Sequence, residues 1–564
     1  MLILIRRVKL NITASIVMGV VTLMLNPSIV LADPLSEISA QAEGGAGEIA
    51  LQRIAREQPP IAHSTWSKWE RLRIQILSQQ ERNHDIVERV IAWPAAVELA
   101  PEVFAQAAQA ASTLGDWPRV KHFAAQALWL GQLDLPTVKL LRVLVIASQA
   151  QSAQGRDAYL SMLRYEQDYG SADAVLTERF VNMLLDNGLI SEAVLWLGRL
   201  NERSPAAIRL RVYTGVITPQ AAVVDIRRQL SQAPLTRHAS WWTLMLELAA
   251  RHPNELLRVE ALEHLLHYQA MKDGREIRQT ATQLWQLYDQ QALIVANARQ
   301  LLMGDEVQWL TDARGQNGNL ESRIIWAYLA RRAQLQDVQK AAQQSLAERH
   351  IAMGLTNTSI RLFDSLMAPQ QVHENARYVL GEGANAVGDG VTTLRYWQQL
   401  PPPEKMNTAN WQLRIAQIAI SVRNIEAAKQ ATQLLSVDPL LLKADQDSVL
   451  KLAQQLLDQG MDELAEKLLI SLLTNVQERQ LPQFMWTLAR TAQAQGQWER
   501  AGDLYMRVAV MKQAPLELIE EARLQAGNLF AKLGFIADSQ RQFKWLITHS
   551  KDPVRLNIAK RALN

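Results

Sequence analysis

Turn positions recur at a nearly constant interval along the C-terminal part of this chain. Gly388, Arg423, Gly460, Gly496 and Gly534 stand 35, 37, 36 and 38 residues apart. A period of this length is that of a helical hairpin repeated along the chain. One hairpin cannot bury its own apolar face, so such a chain folds by stacking hairpins into a continuous core. Small residues let the two helices of a hairpin approach closely, and large ones fill the gap to the next hairpin. The fold class expected is all-α: an α-solenoid of stacked antiparallel helix hairpins.

The clearest unit reads Leu488-Ala489-x-x-Ala492, then Gly496-Gln497-Trp498, Ala501-x-x-x-Tyr505 and Val508. Its neighbour gives Gly527-x-x-Phe530, Gly534 and Ser539-x-x-x-Phe543, and an earlier unit ends on Ser436-Val437-Asp438-Pro439. Upstream, Leu114-Gly115-Asp116-Trp117 is the same kind of turn, and Gly188, Ala193, Leu197 and Pro205 match a further unit two periods on. These residues resemble the tetratricopeptide (TPR) pattern: a small pair on the first helix, a glycine turn, an aromatic, then Ala-x-x-x-aromatic on the second. The resemblance is good over 407–550, fair over 101–205 and poor between. Arg423 stands where the family has glycine, and the 35–38-residue periods exceed the family's usual length of about 34. For 212–351 other α-solenoids remain open; the β-like composition of 212–226 is cut by Pro219 and predicts no sheet.

Helices follow from local chemistry as well. Over 516–533, Ile519, Ala522, Ala526, Phe530 and Leu533 fall three or four residues apart, on one face, with Glu517, Glu520, Glu521 and Arg523 largely off it. Ser204-Pro205 and Thr218-Pro219 each offer a capping hydroxyl before a first-turn proline.

The first 32 residues read as an export signal. Arg6, Arg7 and Lys9 precede the apolar stretch Ile12 to Leu25, and Val30-Leu31-Ala32 offers small residues ahead of Asp33. The competing reading is an uncleaved anchor from Leu10 to Ala32, the sole route to membrane association. The divisions expected are a signal peptide (1–32), a flexible leader (33–64) containing Gly44-Gly45-Ala46-Gly47, degenerate helical repeats (65–406) and TPR-like repeats (407–564). Regular structure is expected from about Thr65, with a short helix between Ile49 and Arg56. A cysteine-free product of such a signal suits the bacterial periplasm.

Charge narrows the partners. Without Arg6, Arg7 and Lys9 the chain carries 56 basic and 56 acidic side chains, so the pI of 8.9 belongs to the signal-bearing precursor. No global positive field exists to gather phosphates, and no nucleic-acid partner is expected. The absence of cysteine removes disulfides, thiolate metal sites and thiol nucleophiles.

No residue set carries catalysis, and no cofactor or metal is expected. Glu321-Ser322 is similar to the acid and serine of lytic transglycosylases, but the downstream Gly-Leu-Met-Gln is missing and Ile324-Ile325-Trp326 continues a helix, so the pair reads as surface charge. His264 and His267, one turn apart beside Glu263, lack a third metal ligand and read as an ordinary helix face. His373-Glu374 is not followed by the second histidine of a zinc-protease helix. Gly381-Glu382-Gly383 and Gly388-Asp389-Gly390 read as flexible turns, since no Lys-Ser/Thr follows and no strand precedes. Trp66 with Trp69, and Trp241 with Trp242, invite sugar stacking, but burial is expected for most tryptophans, with one of Trp241 and Trp242 exposed.

The TPR resemblance implies one binding surface. The residue six before the turn glycine faces the concave groove in that family. Here the column reads Gln109, Asn182, Gln417, Gln454, Arg490 and Asn528, bordered by Trp486 and Lys532. Side chains of this kind suit an extended peptide backbone or a neutral glycan. The function expected is a non-catalytic periplasmic scaffold for protein or glycan partners in an envelope assembly, secretion or exopolysaccharide machine. The alternative is a cell-wall enzyme or its regulatory subunit.

Overall fold

A computed structural model describes residues 34–268, 274–437, 445–473 and 476–563. The signal segment and the Asp438-Pro439 turn lie outside the described residues. Those residues form thirty α-helices and no strand. The chain divides into two units, 1–222 and 223–564.

The turn positions organise both units. Glu81, Gly115, Ala153 and Gly188 in the first, and Gly354, Gly388, Arg423, Gly460, Gly496 and Gly534 in the second, all have φ between 56° and 82°. At each, the next residue donates its N–H to the carbonyl five residues back, as from Gln497 to Ala492 (2.9 Å), Asn424 to Ala419 (2.8 Å) and Phe535 to Phe530 (2.8 Å). This left-handed C-cap satisfies carbonyls that a helix end leaves open and reverses the chain into the second helix. Arg423 adopts the glycine conformation at φ 58°. Ala153 supplies the turn between Gly115 and Gly188. It escapes a search for glycine because the local glycine, Gly155, serves another need: a Cβ there would stand 2.7 Å from Asn187 Cβ.

In the first unit, regular structure is already present at Pro34, the first described residue, well ahead of Thr65. Helices Pro34–Glu43 and Gly47–Glu57 form a hairpin that buries Ile38, Ala50 and Ile54 with Trp69 and Ile76. The glycines between them make its turn, with Gly45 at φ 89°; the segment is a hairpin, not a linker. Further on, Ala107, Ala108 and Ala111 of Pro101–Thr113 pack with Phe123 and Ala124 of Trp117–Leu130. Ser204 Oγ accepts from Ala207 N (3.2 Å) and Thr218 Oγ1 from Ala221 N (3.2 Å), so both expected caps form.

In the second unit the C-terminal hairpins follow the expected packing. Ala489 and Ala501 are fully buried between Leu481–Ala494 and Trp498–Val510, and Tyr505 is buried beside them. Glu520 departs from its expected exposed face. It is buried because Arg555 of the last helix, Pro553–Leu563, reaches it at 2.8 Å and Ser550 Oγ donates to it at 2.9 Å.

Gly381 and Gly383 are not in a flexible turn. Both are buried in helix Glu374–Ala386. A Cβ on Gly381 would lie 2.0 Å from Trp397 Nε1, and one on Gly383 2.6 Å from Ile351 Cδ1. Glycine here buys close helix approach. Trp397 is fully buried and its ring is rigid, so it cannot yield as a flexible chain end would. Gly381→Ala is therefore expected to cost about 1–3 kcal/mol by overpacking, outweighing the ~1 kcal/mol that alanine gains in a helix interior. A lowered urea midpoint checks this; a raised midpoint would show that the two helices leave room for a methyl group.

The region between departs from simple hairpin stacking. Helix Gly274–Ala298 is 25 residues long. Helix Thr356–Leu366 returns across 77 to 95 positions of sequence to it and to Glu255–Tyr268: Thr358 Oγ1 donates to Glu263 O (2.5 Å), Asn357 Nδ2 to His267 O (3.3 Å), and Trp285 Nε1 to Leu362 O (3.1 Å). In a simple solenoid each repeat touches only its neighbours, so this part is a knot of contacts rather than a ladder.

Glu263 lies at its centre, fully buried, and is not part of an ordinary helix face. Arg323 forks onto it, Nη2 to Oε2 at 2.6 Å and Nε to Oε1 at 3.0 Å, and Tyr288 OH donates to Oε1 at 2.6 Å. His350 Nε2 stands 3.5 Å from the same oxygen. Burial opposes ionisation, but the Arg323 charge and the hydrogen bonds from His350 and Arg323 prevail and hold the carboxyl well below the usual carboxylate range. Next to it, His264 stacks flat on Trp242, centroids 3.9 Å apart. Trp241 and Trp242 are both buried, against the expectation that one would be exposed. Neighbouring positions lie ~100° apart on a helix, and His238–Arg251 is covered over an arc that also buries Leu244, Met245, Leu248 and Ala249.

Candidate functional site

The expected groove residues fall in both units. In the first, Gln109 is exposed, and Asn182 accepts from Arg209 Nη1 (3.3 Å), whose Nη2 donates to Asp186 (2.6 Å). In the second, Gln417 Nε2 donates to Ser448 O (3.3 Å), tying Thr408–Ser421 to Gln446–Asp458. Lys532 Nζ sits 3.5 Å from the centroid of the Trp498 ring, so its charge is engaged by the second helix of the preceding hairpin, Trp498–Val510.

Two of the expected residues meet. Trp486 and Arg490 line a cleft of about 400 Å³ with Leu457, Gln493, Ala494, Tyr505 and Gln525. Its walls are the first helices of three successive hairpins, Gln446–Asp458, Leu481–Ala494 and Leu516–Lys532, with Tyr505 contributed by the second helix Trp498–Val510. Gln454 and Asn528 are not among its lining residues; each stands one helical turn from one, Leu457 and Gln525. The Trp486 and Tyr505 rings are 4.9 Å apart at 58°. Tyr505 OH donates to Gln493 Oε1 (2.8 Å), and burial pushes its phenol above the usual range. Arg490 Nη2 lies 3.4 Å from Asp458 Oδ1, and Gln525 Nε2 donates to Glu521 Oε1 (2.9 Å). The cleft thus presents an aromatic ring, a charge-balanced guanidinium and two amides, with no carboxylate among its lining residues.

A second cleft of about 420 Å³ repeats this chemistry within the same unit. Gln283, Gln286 and Gln290 of Gly274–Ala298 are exposed along one helical face above Leu246, Leu262 and Leu287, and Arg258 joins them, held by Glu255 at 2.8 Å. No turn glycine anchors an alignment here, so the repeat column could not reach it. The i, i+3, i+7 spacing of the glutamines was the available signal. Gln493 and Gln525 were missed because they lie one turn to either side of the column residues Arg490 and Asn528. A larger cleft, about 760 Å³, opens beside the short helix Gly390–Trp397 and is lined by apolar side chains such as Leu394, Ile415 and Leu434 together with polar ones such as Arg395, Gln412 and Gln430.

The remaining candidates are structural. Ser322 is fully buried, and Glu321 is held by Arg299 at 2.5 Å, which corrects the surface-charge reading for the serine. Among the described residues no three His, Asp or Glu side chains cluster as a metal site, and no helix is long and apolar enough to cross a membrane. Trp69, Trp241 and Trp242 are buried, whereas Trp129 is 88% exposed.

No protein-family model matches the chain, and no curated protein matches it in sequence. Among solved structures it is similar to the pentatricopeptide repeat protein PPR10 from maize (11% identity, 94% of this chain and 86% of that one, TM-score 0.31). It is also similar to yeast Tom70 (10%, 87% and 94%, 0.22) and to a chain of the APC/C hetero-tetramer Cut9-Hcn1 (12%, 82% and 96%, 0.22). Scores this low carry nothing beyond the common use of helices. The expectation of no nucleic-acid partner rests on charge balance alone and gains no support from them; PPR10 itself has been solved with an 18-nt psaJ RNA element. The chain's own helices and turns define its class: a TPR-like protein of stacked helical hairpins.

Proposed function

We propose that this chain is a non-catalytic scaffold of the bacterial periplasm that holds protein or glycan partners of an envelope assembly, secretion or exopolysaccharide machine. The observation that carries this is the cleft of Trp486 and Arg490, built by three successive hairpins and lined with hydrogen-bonding groups of balanced charge. A surface of this kind can hold an extended neutral partner without chemistry of its own. The export signal at 1–32 supports the periplasmic location. The cell-wall enzyme alternative loses its Glu321-Ser322 candidate to burial and to Arg299.

The test is retention. Mature protein immobilised and exposed to envelope extract and to peptidoglycan is expected to retain a partner and release no cleavage product. Arg490→Ala with Asn528→Ala is expected to weaken retention about ten-fold, the loss of a few hydrogen bonds. Unaltered retention by the double variant would remove the cleft from the account, and soluble product would favour the enzyme.

A further inference from the structure

We infer that the Trp486 cleft takes a pyranose unit of a neutral polysaccharide, a refinement that rests on the binding role proposed above. A pyranose has an apolar C–H face and a rim of hydroxyls, each both donor and acceptor. The cleft matches both halves. Trp486 lines it as a half-buried ring, propped by Tyr505 at 4.9 Å. Tyr505 occupies the Gln493 carbonyl, which leaves the Gln493 amide N–H groups to donate, while Glu521 engages the Gln525 amide nitrogen and leaves its carbonyl to accept. Arg490 adds a planar donor at the rim, its charge offset by Asp458. An anionic polymer would meet Asp458 and Glu521 at the edge, and a cationic one would meet Arg490.

The second cleft decides between polysaccharide and peptide. Gln283, Gln286, Gln290 and the Glu255-held Arg258 over leucines repeat the same set of amides with one ion-paired guanidinium some two hundred residues earlier in the chain, again with no lining carboxylate. A polymer of one recurring neutral unit uses the same chemistry at both clefts. A peptide of unique sequence gives no reason for the repetition. The earlier cleft has leucine in place of an aromatic platform, so it binds more weakly.

The mature full-length protein should be titrated calorimetrically with β-1,4-linked hexamers of glucose and of N-acetylglucosamine, with hexagalacturonate, and with an uncharged unstructured peptide of similar length. At least one neutral hexamer is expected to bind, with hexagalacturonate and the peptide much weaker. Trp486→Ala is expected to weaken binding about ten-fold or more, and Trp486→Phe to restore most of it. Gln525→Ala, a half-buried cleft-wall position, is expected to weaken binding several-fold with an unchanged thermal melt, which separates a lost contact from lost folding. Failure of both neutral hexamers, preference for hexagalacturonate or the peptide, or wild-type affinity in both Trp486→Ala and Gln525→Ala would overturn the assignment. If the hexamers fail while an envelope protein is still retained through Arg490 and Asn528, only the sugar assignment falls and the scaffold stands.

Discussion

Arg323→Met is expected to destabilise the 223–564 unit by about 3–5 kcal/mol, the cost of stranding a buried charge. Glu263 has no exposure and Arg323 almost none. Removing the guanidinium leaves the carboxylate with Tyr288 OH and His350, beneath helix Thr356–Leu366. It must then stay ionised without its counter-charge or take up a proton, and either course costs stability. The double variant Glu263→Gln with Arg323→Met is expected to recover much of the loss, because a buried ion pair replaced as a pair is often nearly neutral. Urea unfolding of the single and double variants at neutral pH gives the coupling directly. A loss below about 1 kcal/mol for Arg323→Met, the range of exposed pairs, would mean that the pair is solvated.

Acid should weaken the same unit through a buried histidine. Burial against Trp242, only partly opposed by the Glu263 charge, lowers the His264 pKa to about 4, while Arg323, His267 and His238 also disfavour its proton. An unfolded histidine titrates near 6.5. Between those values the unfolded chain binds a proton that the folded chain refuses. The stabilisation is therefore complete above pH ~6.5 and is lost progressively as pH falls toward 4, by about 3 kcal/mol in all. His267, lowered chiefly by burial, adds a slope of the same sign. Glu263, held below its ordinary range, extends the loss to more acidic pH, below the ordinary titration of a free carboxyl. His264→Phe keeps a ring on Trp242 without a titrating group, so its stability is expected to fall less steeply from pH 7 to 4.5. A flat profile in the unmodified protein, or an equal slope in His264→Phe, would contradict the burial of this ring.

The repeats were legible wherever one local signal did one job. Gly496 and Gly534 are both the turn and its sequence mark, so the C-terminal hairpins could be aligned from the chain alone. Ala153 hides a turn because Gly155 was needed for contact with Asn187. The glycines at 44–47 and 381–383 misled in opposite ways from one cause. Glycine marks freedom, a left-handed turn or close approach, and only packing tells which. Glu263 was illegible as a buried charge because its partners come from positions 288, 323 and 350, and no periodicity links them. The cleft was half legible: the column gave Arg490 and its neighbour Trp486, whereas Gln493 and Gln525 needed the relation between adjacent hairpins.

Internal deletion tests the stacking most directly. Removing residues 461–496 takes out one whole period and joins Gln459-Gly460 to Gln497-Trp498, recreating the sequence Gln495-Gly496-Gln497-Trp498 around a turn of the same conformation. Removing residues 461–478 instead puts Leu481–Ala494, a first helix, where a second helix belongs. If hairpins stack through nearest-neighbour faces, the whole-period deletion keeps its helical circular dichroism per residue and a cooperative melt, while the shorter deletion loses both over the C-terminal hairpins. Equal damage from the two deletions, or a milder effect from the shorter one, would contradict a fold built of interchangeable periods.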